Sequence, residues 1–226
     1  MSTPAADTVA ERLERVTAEV TDAARSADRD PASITTIVVT KFHPASLVRE
    51  LAGLGVRNVG ENRHQDAGPK AAQLTDLDLE WHFVGQLQSK KARQVVDYAR
   101  VIHSIDRLSL VKALDGANVK TFIQLNLTDD PARGGVQPAE LESLAEAVLA
   151  TSTLRLSGLM AVAPLGEEPR AAFARVREAS ERLRTLAPDA NKLSMGMSQD
   201  FREAIAEGAT HLRIGTAITG NRPTGS

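Results

Sequence analysis

Lys41 follows the apolar run ITTIVV, with only Thr40 between them, in the stretch VVTKFHP. Strands that are buried on both faces read as continuous apolar runs, so this lysine is predicted to lie at the end of such a strand. A lysine there is either a cation that reaches solvent or an amine held over a site. An amine must lose its proton to attack a carbonyl, and a mostly apolar surrounding would disfavour its charge.

Two runs of small residues, SMGMS (194–198) and GTAITG (215–220), are candidate anion pockets. Small residues let backbone N–H groups approach a phosphate, and the N-terminus of a helix favours negative charge. Each run alone is weak evidence, because most such runs are ordinary turns. A lysine and a phosphate pocket on one face would together suit a Schiff base with a phosphorylated aldehyde.

The elements that would position these residues alternate along the chain. Val9, Leu13, Val16 and Val20 recur at helical spacing, which predicts an N-terminal helix over 7–27. Further helical patterns cover 44–54, 86–99, 138–150, 169–186 and 198–207. Strands are predicted at ITTIVVT, VRNVGE, LEWHFVG, RVIHSID, KTFIQLNL, LRLSGLMAV, KLSMGM and HLRIGTAI.

This alternation predicts an α/β fold, a single (β/α)8 TIM-like barrel with an extra N-terminal helix. The eight strand candidates match the barrel count, and no glycine-rich dinucleotide fingerprint favours a doubly wound sheet. We expect one domain over 1–226, with its first helix within 1–28, a long loop at DDPARGG and a mobile tail at 221–226.

Composition narrows the class of protein. The 226 residues include 27 Lys and Arg against 29 Asp and Glu, a net charge of −2, which argues against nucleic-acid binding by bulk charge. The absence of cysteine excludes disulfides and thiol catalysis and fits a reducing cytoplasm. Neither a signal peptide nor a membrane span is visible, and the histidines lack metal-ligand spacing. We expect a cytoplasmic protein without metal or membrane.

A (β/α) barrel forms its site at the carboxyl ends of its strands, and phosphate commonly binds after strands seven and eight. Polar residues gather at those predicted ends, and both small-residue runs follow the last two strands. The convergent set is Lys41, Glu61, Asn62, Arg63, Gln86, Asp106, Asn126, Ser194, Arg213 and Thr216.

The motifs VVTK, VGEN, WHFVGQLQSKKAR, HSID, GLMAV, LSMGMSQD and RIGTAITG stand in this order along the chain. In this order and spacing, over about 34–220, the sequence resembles the pyridoxal phosphate homeostasis proteins, also called the YggS or PROSC type. That resemblance implies a single barrel like the N-terminal domain of bacterial alanine racemases. It also implies pyridoxal 5′-phosphate (PLP) bound as an imine on Lys41.

The resemblance further assigns residues around the cofactor. Asn62 lies beside it, and Arg213 faces the pyridine nitrogen. The phosphate ligands are Ser194, Gly215 and Thr216, with main-chain help near Gly196 and Met197. This chain departs from many relatives at TKFHP around the lysine and at Arg63, which follows VGEN; neither change removes a ligand.

The expected function is a PLP carrier rather than an efficient enzyme, so no catalytic residue is assigned. Arginine has no acceptor and stays charged, so a ring nitrogen facing Arg213 would stay unprotonated and PLP would be a weaker electron sink. The only tyrosine, Tyr98, is predicted in a helix away from the strand ends. The carrier would hold and release PLP for vitamin B6 and amino acid homeostasis, as a monomer, with apo forms of PLP enzymes as acceptors.

Other interpretations stay open. The rival functions are a PLP-dependent racemase of the alanine racemase type, a Schiff-base aldolase without PLP, and a phosphate-ligand sensor with a protein partner. Arg213 would otherwise pair with Asp106 or Glu61, His82 is expected to be buried and hydrogen-bonded, and Ser198 is expected to cap a helix. The run SKKAR, with Lys90, Lys91 and Arg93, is interpreted as a solvated face or a second anion or partner site. Phe42 and His43 have no assigned role.

Overall fold

Eight parallel strands close into a barrel in the order of the chain, in a computed structural model that describes residues 7–222. Every neighbouring pair is parallel, and the circle is completed by pairing between the eighth and first strands. The strands are β1 (Thr35–Val39), β2 (Asn58–Glu61), β3 (Glu80–Phe83), β4 (Val101–Ile105), β5 (Val119–Gln124), β6 (Leu154–Met160), β7 (Lys192–Ser194) and β8 (His211–Ile214).

The predicted barrel is confirmed, and each predicted strand overlaps one observed strand, although β5 begins one residue before the predicted KTFIQLNL. The observed strands are shorter than the predicted runs, because only part of each run pairs in the barrel and its remaining residues lie outside the strand. The last predicted strand also ran too far, since 216–219 of HLRIGTAI form a helix.

The helices are α1 (Val9–Ser26), α2 (Ala45–Gly53), α3 (His64–Ala72), α4 (Ala92–Val96), α5 (Leu108–Leu114), α6 (Leu141–Ala150), α7 (Pro169–Leu186), α8 (Phe201–Ala206) and α9 (Thr216–Thr219). Short 3₁₀ helices lie at Pro31–Ser33, Ser89–Lys91, Pro131–Arg133 and Pro138–Glu140. The helices α3 and α5 were missing from the prediction. The first contains Pro69 and Gly68, and the second has seven residues, so neither shows a long periodic pattern.

The first helix, α1, lies outside the barrel and supports its C-terminal segment. Thr8 and Glu11 form a reciprocal capping box at its start, which satisfies otherwise free N–H groups. Its apolar stripe buries Val16 and Val20. It packs against α8 and α9, and Arg12 Nε donates to the Ile218 carbonyl at 2.7 Å. This helix therefore braces the segment that carries GTAITG.

Side chains alternate between the outside and the inside of the barrel, as the period of a strand requires. The outward residues join the main apolar core beneath the helices. The inside holds a small separate apolar cluster of Val101, Phe122 and Met160. His103 stacks on Phe122 with ring centroids 4.6 Å apart, so the barrel interior is partly polar.

No helix in residues 7–222 is long and apolar enough to span a membrane. Within the same residues, no group of three or more His, Cys, Asp or Glu side chains is arranged to hold a metal ion. The tail predicted for 221–226 lies outside the described residues beyond 222.

Candidate functional site

Lys41 lies in a tight turn at the carboxyl end of β1, where the sequence placed it. The His43 N–H donates to the Thr40 carbonyl at 3.1 Å and closes the turn. Phe42 takes a φ of 68°, a left-handed value that costs a non-glycine residue about 1–2 kcal/mol. The Lys41 side chain is exposed, so the apolar surrounding expected for it was wrong. The strand ends at Val39, so Lys41 lies in the turn beyond the barrel wall and is exposed there.

Three cations surround the Phe42 ring at this mouth. The Arg222 guanidinium lies 4.5 Å from the ring centroid, and Lys41 Nζ and the Arg63 guanidinium each lie 5.9 Å away. Cations are attracted to the negative face of an aromatic ring. Phe42, which had no assigned role from the sequence, thus holds two arginines near Lys41. An anionic ligand would be favoured beside them.

A buried ion pair supports the turn from outside the barrel. Lys70 Nζ pairs with the fully buried Glu61 carboxylate and donates to the Thr40 carbonyl at 2.9 Å. The Thr40 hydroxyl donates to Glu61 Oε1 at 2.7 Å. This cluster ties α3 and β2 to the residue just before Lys41. Lys70 was missed because its helix, α3, gave no periodic signal.

Asn62 follows β2 and faces a cavity of about 330 Å³. Its Oδ1 is buried without a hydrogen-bond partner among the described residues. Gly85 lies against its backbone, where a Cβ would come within 2.2 Å of the Asn62 carbonyl oxygen. Lys91 also lines this cavity, whereas Lys90 and Arg93 of the same run are exposed. The Asn62 backbone is therefore fixed against Gly85, and its side chain has an unused acceptor.

Arg213 points into the barrel from β8 and is 5% exposed. Nη1 donates to the Ser194 carbonyl at 2.6 Å and hydroxyl at 2.7 Å, and Nη2 donates to the Ala161 carbonyl at 2.8 Å. Burial lowers its pKa to about 10, against the opposing effect of Asp200, so it remains a cation near neutral pH.

The alternative partners that the sequence suggested for Arg213 are wrong. Asp106 pairs with Arg107, its neighbour in the chain, and Glu61 pairs with Lys70 on the outer side of the barrel. Strand alternation explains this difference, because Glu61 and Arg213 face opposite sides of the barrel wall.

The two small-residue runs meet above β7 and β8. The Arg213 N–H donates to the Gly196 carbonyl at 2.9 Å and joins the run after β7 to the last strand. Gly196 has a φ of 91°, and a Cβ there would lie 2.6 Å from Ala204 Cβ, so only glycine fits. Gly215 directly precedes α9, and Thr216 begins it. The structure therefore brings the predicted phosphate segments together.

Two groups in these runs already have partners. The Met197 N–H donates to Asp200 Oδ1 at 2.6 Å, and the Met197 side chain is 38% exposed. Ser194 is fully buried, and its hydroxyl lies 2.9 Å from His103 Nδ1. The roles of both residues as phosphate ligands stay predictions. Asp200 and His103, which hold them, were not singled out from the sequence; strand alternation in RVIHSID could have placed His103 inside the barrel.

The prediction that Ser198 caps the helix that follows it is wrong. The following helix, α8, begins at Phe201 with Asp200 at its N-cap position. The Ser198 hydroxyl instead accepts from the Ala217 N–H at 3.4 Å. The chain forms an extra turn after β7 before it becomes helical, and Ser198 therefore joins the two small-residue runs.

Tyr98 lies two residues beyond the end of α4 rather than within a helix. Its ring stacks on His64 with centroids 6.0 Å apart and meets Trp81 edge-on at 6.2 Å. Burial, with a smaller effect of Glu61, raises the pKa of its phenol well above the usual range. Its hydroxyl is buried without a partner in the described part of the chain. The phenol is therefore held between barrel and helices.

The polar groups present suit a planar, anionic, carbonyl-bearing cofactor. Lys41 offers an amine at the mouth, Arg213 a buried cation beneath it, and Asn62 an unpartnered acceptor to one side. This set joins β1, β2 and β8, which are adjacent in the barrel.

The closed parallel barrel, with Lys41 after its first strand and Arg213 inside its last, has the fold of the alanine racemase N-terminal domain. A sequence-family model described as alanine racemase, N-terminal domain, matches residues 13–223. The alanine racemase of Corynebacterium glutamicum shares this fold, with a TM-score of 0.71 at 17% identity over 95% of this chain and 63% of that chain.

Similar proteins identify the family within this class. The pyridoxal phosphate homeostasis protein of Pseudomonas aeruginosa is 42% identical over 97% of this chain and 98% of its own. Its Escherichia coli counterpart is 40% identical over 95% of this chain and 97% of its own. This chain belongs to the pyridoxal phosphate homeostasis protein family. The structure of PipY from Synechococcus elongatus with PLP bound is 39% identical, with a TM-score of 0.83, over 94% of this chain and 100% of that one.

Proposed function

We propose that this protein holds PLP as a Schiff base on Lys41 and buffers and delivers it within the cell, without efficient catalysis. The observation that carries the proposal is the exposed amine of Lys41 at the barrel mouth, beside the cluster of cations around Phe42. PLP bound to the PipY relative supports the choice of cofactor.

The covalent step needs only the amine. With PLP bound, neutral Lys41 Nζ would form a C–N bond to the aldehyde carbon, and the carbonyl oxygen would leave as water with the two protons of the amine. The reverse reaction with water, or exchange with another amine, returns the aldehyde. An exposed lysine suits this reversibility, because both water and acceptor amines reach it.

The remaining ligands follow the family resemblance. Asn62 is proposed to lie beside the cofactor, and Ser194, Gly196, Met197, Gly215 and Thr216 surround its phosphate. Arg213 is proposed to face the pyridine nitrogen. Because a guanidinium only donates and stays charged, it disfavours protonation of that nitrogen and weakens carbanion stabilisation.

Weak catalysis is supported by the placement of Tyr98. A racemase needs a second base on the opposite face of the cofactor from its lysine. The only tyrosine of the chain lies between His64 and Trp81, with a pKa raised by burial. It is therefore unsuited to take a proton at the mouth.

Hydrogen exchange at the α-carbon tests this proposal. PLP-loaded protein is incubated with L-alanine in D2O, and deuterium incorporation and D-alanine are followed by NMR and chiral chromatography. We expect exchange no faster than with free PLP at the same concentration. Robust turnover that disappears in Lys41→Ala would establish the racemase alternative instead.

Delivery has a separate test. A PLP-dependent enzyme freed of its cofactor is mixed with the PLP-loaded protein, and recovery of its activity is timed. We expect full recovery, with a rate limited by release from Lys41. No recovery over hours would contradict a delivery role.

A further inference from the structure

A row of hydrogen bonds crosses the barrel interior from Arg213 to Asn58. It passes from Arg213 Nη1 to the Ser194 hydroxyl (2.7 Å), to His103 Nδ1 (2.9 Å), from His103 Nε2 to His82 Nδ1 (3.0 Å), and from His82 Nε2 to Asn58 Oδ1 (3.0 Å). These five residues come from β8, β7, β4, β3 and β2. The row therefore links the site to the opposite end of the barrel.

Both imidazoles in the row are neutral at physiological pH. His82 is 1% exposed and His103 is fully buried. Burial lowers the pKa of His82 to about 3 and that of His103 well below its usual range, and the neighbouring His211 and the cations Lys120 and Arg213 act in the same direction. A neutral imidazole has one donor and one acceptor, so each ring donates to one neighbour in the row and accepts from the other.

The direction of donation along the row is set by His82, at the end far from Arg213. His82 Nε2 faces two oxygens, Asn58 Oδ1 at 3.0 Å and Glu80 Oε2 at 3.8 Å, and therefore carries its proton. His82 Nδ1 must then accept, so His103 donates from Nε2. His103 Nδ1 must accept in turn, and within residues 7–222 the donor that it faces is the Ser194 hydroxyl. The guanidinium of Arg213, which can only donate, donates to a lone pair of the same Ser194 hydroxyl oxygen.

We propose that His103 and Ser194 are positioning residues that hold Arg213 toward the cofactor. The single hydroxyl proton of Ser194 is committed to His103, which leaves its lone pairs for Arg213. Ser194 then acts on the cofactor through Arg213, and this role replaces the direct phosphate contact that was proposed for Ser194 above from the family resemblance. This last step rests on the proposed PLP site; the proton arrangement does not.

The reverse arrangement has a different consequence. If His103 carried its proton on Nδ1, it would donate to Ser194, and the hydroxyl proton would be available for a phosphate oxygen. The two arrangements place the imidazole protons on opposite nitrogens. The tautomer of His103 therefore decides between a positioning role and a phosphate-binding role for Ser194.

NMR of the cofactor-free protein reads that tautomer directly. Histidine is labelled with ¹⁵N, and long-range ¹⁵N–¹H spectra, assigned with His82→Gln and His103→Asn, are recorded from pH 8 to pH 5. We expect both residues as the neutral Nε2–H form throughout. A neutral Nδ1–H form of His103, or its protonation in this range, would overturn the proposal. Failure of PLP binding would leave this result unchanged.

The effect on Arg213 is tested in the PLP-loaded protein. His103→Phe keeps the ring volume and removes both hydrogen bonds, His103→Asn keeps an acceptor for Ser194, and Thr121→Val is a buried control outside the row.

We expect His103→Phe to move the pH midpoint of the bound-cofactor absorbance by about one unit, the equivalent of one hydrogen bond. The midpoint in His103→Asn should lie closer to wild type, and Thr121→Val should not change the midpoint. An unchanged midpoint in His103→Phe, or no rescue by His103→Asn, would refute the positioning role; if His103→Phe does not fold, the tautomer measurement decides.

Discussion

Gly85 lies so close to Asn62 that a Cβ atom at position 85 would be 2.2 Å from the Asn62 carbonyl oxygen and 2.7 Å from its Cα. Real side chains do not tolerate such distances, so the loop after β3 needs glycine there for Asn62 to keep its place. This relationship couples two strand ends and makes Gly85, a residue without a side chain, part of the proposed cofactor site.

Gly85→Ala should therefore weaken PLP binding. We expect a loss of about tenfold in affinity and about 1–3 kcal/mol in the free energy of unfolding, since backbone must shift to admit the methyl group. Absorbance titration with PLP and urea unfolding measure the two effects. Gly53→Ala is the matched control, because nothing lies within 4 Å of its Cβ position at the end of α2. Equal PLP affinity in Gly85→Ala and wild type would contradict this coupling.

The turn that carries Lys41 is strained at Phe42, and two variants isolate that strain. Phe42→Gly and Phe42→Ala remove the same ring, but only glycine adopts a φ of 68° without cost. We expect Phe42→Gly to be the more stable of the two by about 1 kcal/mol. Urea unfolding of both proteins measures the difference. A more stable alanine variant would show that the left-handed turn is absent in solution.

The pair of Glu61 and Lys70 predicts a large, non-additive effect. Lys70→Met leaves the fully buried Glu61 carboxylate uncompensated and should cost about 3–5 kcal/mol of the free energy of unfolding. The double variant with Glu61→Leu should recover most of this loss. Lys120→Met, which breaks an exposed pair with Glu80, should cost less than about 1 kcal/mol.

A double-mutant cycle over these variants measures the coupling between Glu61 and Lys70. Additive losses in the two single variants would show that the pair does not support the turn below Lys41.

The buried histidines predict a loss of stability in mild acid. An unfolded histidine has a pKa of about 6.5. Burial lowers the folded pKa of His82 to about 3 and that of His211 to about 4, so the unfolded state binds more protons between those values and 6.5. The free energy of unfolding should therefore fall as pH decreases below about 6.5, by about 1.4 kcal/mol per pH unit for each such histidine.

Urea unfolding at pH 7, 6 and 5 measures this slope. His82→Gln should reduce it by the contribution of one histidine. A slope that is the same in wild type and His82→Gln would mean that His82 is already protonated or exposed in the folded protein.

The barrel could be predicted from the sequence because its apolar strands alternate with helices along the chain and its long helices have periodic apolar residues. The helices α3 and α5 could not be predicted, since a helix of seven residues and one with an internal proline show little periodicity. Motif order identified the strand ends that carry Lys41, Asn62 and Arg213. The supporting contacts were out of reach, because Lys70 meets Glu61, and His103 meets Ser194, only after separate elements pack together.

Reduction with borohydride tests the Schiff base on Lys41 most directly. The protein is incubated with PLP, reduced, digested and analysed by mass spectrometry, beside Lys41→Arg, which keeps the charge but forms no imine, and Lys90→Arg, which changes an exposed lysine. If Lys41 forms the imine, the protein is yellow with PLP before reduction and carries one pyridoxyl group on Lys41 after it; both signals are present in Lys90→Arg and absent in Lys41→Arg. A protein that stays colourless with PLP, or a pyridoxyl group retained in Lys41→Arg, would contradict it.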